Sequence, residues 1–117
     1  MSRTHVTTLD AAFALGPPPA GALSIPVFTH GSLDVRLYAP PGEDRQVPHE
    51  RDEAYVVARG HAAFVAGDGQ RHALAPGSFV FVAAGETHRF EAMSADFAVW
   101  VLFYGPAGGE AAAPRAR

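Results

Sequence analysis

His49 and Glu53 stand four residues apart where a polar loop, Pro48-His49-Glu50-Arg51-Asp52, runs into the β-prone segment Tyr55-Val56-Val57. An imidazole and a carboxylate at that spacing, at the entrance to a strand, can converge on one point. Another histidine, His88, follows the apolar segment from Ser78 to Ala83 after the turn Ala84-Gly85-Glu86. Two neutral imidazoles and one carboxylate suit Fe(II), while Zn, Mn or Ni also accept them. Such a set leaves positions open for water, dioxygen or substrate. His49, Glu53 and His88 are therefore candidate ligands of one divalent metal ion. No other catalytic arrangement is visible: Ser78 and Thr87 lack a nucleophile-elbow context, and the glycines form no phosphate loop. His5, His30, His61 and His72 fall at the terminus, a turn or strand edges, where solvated histidines are expected.

These side chains need a scaffold, and its pattern is one of short strands. Thr8 can cap a short helix over Leu9 to Leu15, ended by Gly16 and by Pro17-Pro18-Pro19. Strands follow over Leu23–Phe28, Leu33–Tyr38, Glu53–Arg59, Ala62–Ala66, Gln70–Leu74, Ser78–Ala83, Thr87–Ala92 and Phe97–Tyr104. Pro26 confines the first strand to an edge or a bulge. Gly67-Asp68-Gly69 is the strongest hairpin signal in the chain. Strands this short, separated by Gly/Pro turns, indicate an all-β sandwich or barrel. The expected organisation is an N-terminal arm with a short helix over residues 1–21, a β-barrel over 22–105 and a disordered tail over 106–117.

Composition narrows the function classes. With 117 residues and 48% hydrophobic content, the chain is one domain with material for one core. A net charge of -3, with nine scattered arginines as the basic residues, gives no footprint for nucleic acid. Zero cysteines exclude disulfides, thiolate metal sites and a cysteine nucleophile. No run approaches a membrane span and the first residues lack a signal-peptide core, so a cytoplasmic protein is expected. The absence of lysine and asparagine beside abundant alanine suggests a GC-rich bacterial genome.

The two histidine-bearing stretches resemble the paired motifs of the cupin superfamily, with the match covering roughly residues 33 to 104. Gly42, His49, Glu53 and Gly60 fall on the first motif; Gly77, Gly85 and His88 fall on the second. The resemblance implies a cupin-type double-stranded β-helix, a jelly-roll barrel, preceded here by the short N-terminal helix. It also implies a ligand set of three histidines and a glutamate, of which this chain carries His49, Glu53 and His88. Val47 stands where the motif has its first histidine, Ala83 replaces the motif proline, and Ala92 replaces the asparagine. Gln46 or a water would complete the shell if the Val47-Pro48 segment bulges.

Strand parity with the ligands places Tyr55, Val57 and Phe90 in the barrel interior. Arg36 and Tyr38, on the polar face of an alternating strand, are expected to contact a small-molecule ligand, together with Tyr55, Phe81 and Trp100. Asp34 shares that polar face, whereas Leu33, Val35 and Leu37 share the other. The last strand is apolar on both faces; the N-terminal helix would cover part of the outer one and a second copy the rest, giving a homodimer. The expected function is a small metal-binding cupin acting on a small organic molecule, with an Fe(II) dioxygenase as the leading reading. A metal-dependent isomerase and a non-catalytic small-molecule-binding or sensor barrel are the alternatives.

Overall fold

A computed structural model describes residues 2–111 of the chain. The helix α1 spans Leu9–Phe13, and the Thr8 hydroxyl caps it by accepting from the Ala11 N–H at 3.1 Å. Eight strands follow: β1 Ile25–His30, β2 Leu33–Tyr38, β3 Asp52–Arg59, β4 Ala62–Val65, β5 Arg71–Leu74, β6 Phe79–Val82, β7 Arg89–Glu91 and β8 Ala98–Tyr104. All observed pairings are antiparallel. They form a five-stranded sheet in the order β1-β2-β8-β3-β6 and a three-stranded sheet in the order β5-β4-β7. The all-β barrel expected from the turn spacing, in the jelly-roll form that the resemblance implies, is the observed architecture. Pro26 satisfies both of its constraints, since β1 is an edge strand and its register shifts between Pro26 and Phe28.

Register explains what each face of the larger sheet does. Paired residues share a face, so three rows point inward: Asp34-Phe103-Glu53-Val82, Arg36-Val101-Tyr55-Val80 and Tyr38-Val99-Val57. With Phe64, Leu74, Phe90 and Phe97 from the facing side, Tyr38, Tyr55, Val57, Val82, Val99 and Val101 make the main core. Two rows point outward, Phe28-Val35-Leu102-Ala54-Phe81 and Ile25-Leu37-Trp100-Val56-Phe79. Helix α1 covers one end of this outer face: Ala12 is buried against Ile25, Leu37 and Ala98, with Leu9, Phe13 and Trp100 around them. The Arg59 guanidinium sits 4.4 Å from the centre of the Phe13 ring and helps pin the helix. The β6 end stays uncovered, with Phe79 65% and Phe81 51% exposed.

The chain past β8 departs from the expected disordered tail over residues 106–111, which lie as a strap across the loop leading into β3. Gly108 N–H donates to the Glu50 carbonyl at 2.6 Å, and Glu110 N–H to Asp52 Oδ2 at 2.9 Å. Arg51 Nε donates to the Gly105 carbonyl at 3.0 Å. Backbone donors that find acceptors on another segment resist fraying, which composition alone does not register. The remainder of the expected tail, 112–117, lies outside the described residues.

Candidate metal centre and adjoining cavity

Glu53 reaches the barrel interior because β3 alternates, and only 1% of its surface is exposed. His49 arrives from the loop before β3, and His88 from the residue before β7. The Gly85 N–H donates to the His49 carbonyl at 2.7 Å, which holds the two histidine-bearing loops together. His88 Nε2 lies 3.1 Å from Glu53 Oε1, and His49 Nε2 lies 3.9 Å from Glu53 Oε2. One ligand atom from each of the three residues falls within 4.8 Å of the others.

Three observations fit this cluster to a cation. Both Glu53 carboxylate oxygens are buried without a hydrogen-bond donor of acceptable geometry among the described residues. A carboxylate in that position is costly unless positive charge compensates it. The His88 ring, in turn, is oriented by its far side, where Nδ1 lies 2.9 Å from the Glu86 carbonyl. A carbonyl only accepts, so Nδ1 carries the proton and Nε2 is turned toward Glu53. Finally, burial favours the neutral His88 imidazole, but the Glu53 carboxylate and the Glu86 carbonyl outweigh it and raise its pKa. The position facing Glu53 therefore favours positive charge, supplied by a proton or by a metal ion.

A hydrogen-bonded ring of polar side chains surrounds the cluster. The Tyr55 hydroxyl lies 3.0 Å from Gln46 Oε1 and 2.9 Å from His88 Nε2. Burial, then the Glu53 charge, pushes the Tyr55 phenol far above the ordinary tyrosine range and keeps it protonated. Gln46 Oε1 also lies 3.3 Å from His49 Nε2. The chain thus turns Gln46 inward at the site's edge, whereas Val47 is 69% exposed. Asp44, in the loop between β2 and β3, organises the segment. Its Oδ1 accepts from the Tyr38 hydroxyl at 2.7 Å and the Gln46 N–H at 3.0 Å, and its Oδ2 from the Phe90 N–H of β7 at 2.8 Å. Burial, followed by Asp44, raises the Tyr38 pKa strongly, so this phenol also remains a donor. Asp44 has no periodicity to reveal it, since its partners belong to two different sheets.

A cavity of about 510 Å³ adjoins the cluster, with Arg36, Tyr38, Gln46, His49, Val101 and Phe103 in its wall. Arg36 and Tyr38 thus lie where the sequence put them, and Tyr55 is buried beside His88. Phe81 and Trp100, expected to line the same space, do not. Both belong to the outward rows; Trp100 packs on the α1 cluster, and Phe81 borders a separate cleft of about 270 Å³ beside His88. Strand register puts both on the opposite face.

A double-stranded β-helix with two histidines and a glutamate gathered in its interior defines a class of small barrels with a metal-compatible site. The sequence profile of the Cupin domain family matches residues 35–104, and the chain belongs to that family. It is 40% identical over 77 residues to an uncharacterized protein of Streptomyces coelicolor, covering 64% of this chain and 72% of that protein. Among solved structures it resembles a protein of unknown function from Rhizobium leguminosarum, at 21% identity and a TM-score of 0.70, over 88% of this chain and 98% of the other. It also resembles a cupin-2 domain protein from Shewanella frigidimarina, at 17% identity and a TM-score of 0.67, over 86% and 95% of the two chains. No helix among the described residues is long and apolar enough to cross a membrane.

Proposed function

We propose that this protein is a metal-dependent enzyme acting on a small organic molecule, with His49, Glu53 and His88 as the metal ligands and an Fe(II)-dependent dioxygenation as the reaction. The observation that carries the reading is the buried Glu53 carboxylate facing two imidazoles beside a cavity of about 510 Å³. A bound Fe(II) would supply electrons to dioxygen and a Lewis-acidic position for substrate. The chain's own residues do the rest. Glu86 fixes the His88 ring through Nδ1, the protonated Tyr55 hydroxyl offers a hydrogen bond at the cluster's edge, and Gln46 presents a carbonyl oxygen between Tyr55 and His49. Val101 and Phe103 give the cavity an apolar side against which an apolar part of the substrate packs.

Elemental analysis of protein purified without an affinity tag or chelator tests the reading. Near-stoichiometric iron, with oxygen uptake on substrate screening, is the expected result. Failure to bind Fe(II), Mn(II), Ni(II) or Zn(II) on reconstitution would sink it, and metal without oxygen uptake would leave a redox-neutral isomerisation. A second copy of the chain is proposed to cover the outer apolar rows that end in Phe79 and Phe81.

A further inference from the structure

The wall of the cavity beside the candidate metal centre carries more than His49 and the apolar residues. Its charged members are Asp34, Arg36, Glu50 and Arg51, together with the His49 imidazole. Their pairing is uneven. Arg36 Nε donates to Asp34 Oδ2 at 3.1 Å, so those two charges cancel. Glu50 is exposed, where water screens its charge. Arg51 is different: it forms no ion pair among the described residues, and its only hydrogen bond runs from Nε to a neutral acceptor, the Gly105 carbonyl. Its Nη2 is buried without a partner, as is Asp34 Oδ1. A guanidinium presents five donors in a planar fork that matches a carboxylate, and a shielded donor left unpaired is destabilising. An arginine with no ion-pair partner among the described residues therefore lines a cavity whose other side, Leu23, Pro48, Val101 and Phe103, is apolar.

We infer that the cavity takes a small organic acid, its carboxylate paired with Arg51 and its apolar portion against Val101 and Phe103. This names the substrate class within the proposed function and rests on that reading for the reaction, but the acid-binding step needs only Arg51.

The test uses mandelate, which carries a carboxylate, a hydroxyl and a ring, against its neutral amide mandelamide. Titration calorimetry is run on the full chain after chelator treatment, so that no metal contributes to carboxylate affinity. Wild-type protein is expected to bind mandelate at least about tenfold more tightly than mandelamide, the worth of one charged hydrogen-bonded contact. Arg51→Met should reduce that preference to about twofold or less. Equal affinity of wild type for acid and amide would overturn the inference, as would an acid preference that survives in Arg51→Met. Because Arg51 also holds Gly105, the variant can lose structure. The Arg51 Nε–H resonance of the wild-type protein then decides, being expected to shift with mandelate and not with mandelamide; no shift with either overturns the inference. A chain that binds no metal yet prefers the acid would overturn the proposed reaction and leave the acid site standing.

Discussion

The Glu53 carboxylate on β3 and the His88 imidazole at the entrance to β7 approach to 3.1 Å from opposite sheets of the sandwich. A cation held there would clasp the two sheets, so binding and folding are coupled. At a free metal concentration about 100-fold above Kd, the coupling is worth about 2.7 kcal/mol, a rise in Tm of about 10 °C for a domain of this size. Addition of Zn(II) to chelator-treated protein in a thermal melt should show this increment. His88→Ala should lose it while retaining the β-rich circular dichroism spectrum, since the core around Tyr55, Phe64 and Phe90 does not require the imidazole. Metal bound at wild-type stoichiometry in that variant would contradict the ligand assignment.

Gln46 rather than Val47 occupies the inward position before His49. Restoring a histidine at the motif position should therefore fail: Val47→His would place an imidazole in solvent and change metal affinity by about twofold at most. Gln46→His adds a nitrogen donor where Gln46 Oε1 now stands, 3.3 Å from His49 Nε2, and should tighten Zn(II) binding by about tenfold or more. Competition with a chromophoric chelator measures both. Equal effects from the two substitutions would mean that the loop is not fixed as described.

Ala92 adopts a φ of +49° just after β7. Left-handed backbone costs a non-glycine residue about 1–2 kcal/mol, because Cβ crowds the carbonyl. Ala92→Gly should relieve part of this and stabilise the protein by about 0.5–1 kcal/mol, with Ala92→Asn giving less. Urea denaturation reads the difference; a loss of stability in Ala92→Gly would refute the assignment. The asparagine common at this motif position thus has a backbone rationale that the alanine here forgoes.

Asp52 joins three segments, its Oδ1 accepting from Ala84 N–H and its Oδ2 from Glu110 N–H, each at 2.9 Å. Asp52→Ala strands both donors and should cost about 1–3 kcal/mol. The strap over residues 106–111 should also become the first site cut in limited proteolysis, with mass spectrometry locating the cleavage. Asp52→Asn keeps one acceptor and should fall between the variant and wild type. Unchanged protease resistance in Asp52→Ala would show that the strap is held by other means.

The outward rows give the last expectation. Phe79→Glu with Phe81→Glu places two carboxylates on the uncovered apolar end of the larger sheet and should convert a dimer to monomer, read by light scattering. Neither residue belongs to the main core, so the monomer should melt within a few degrees of wild type. A monomeric wild-type protein would remove the proposed second copy.

Much of this was legible before the structure. Alternation in Leu33–Tyr38, the Asp-Gly hairpin and the Gly/Pro turns fixed the strands, and the spacing of His49, Glu53 and His88 located the cluster. What alternation does not say is which face is inside. In β2 the charged face, Asp34 and Arg36, turns inward and the apolar face of Val35 and Leu37 turns out, because an interior cavity admits charge and α1 shelters the exterior. The same ambiguity misplaced Trp100 and Phe81, whose sides are decided by pairing with Val56 and Ala54 across the sheet. Asp44 and Arg51 were hidden for another reason: each sits in a loop and has a contact distant in sequence, to Phe90 and to Gly105.

The position of β8 carries a consequence for how the protein is made. The last strand among the described residues lies at the centre of the larger sheet, between β2 and β3. As synthesis proceeds, β2 and β3 emerge with no neighbour to separate them, and the groups that β8 will satisfy remain open. Strand pairing of such long sequence separation is slow and leaves edges exposed to other chains. The larger sheet cannot complete its pairing without β8, so Glu53, which pairs with Phe103, acquires its surroundings only after residues 98–104 have left the ribosome.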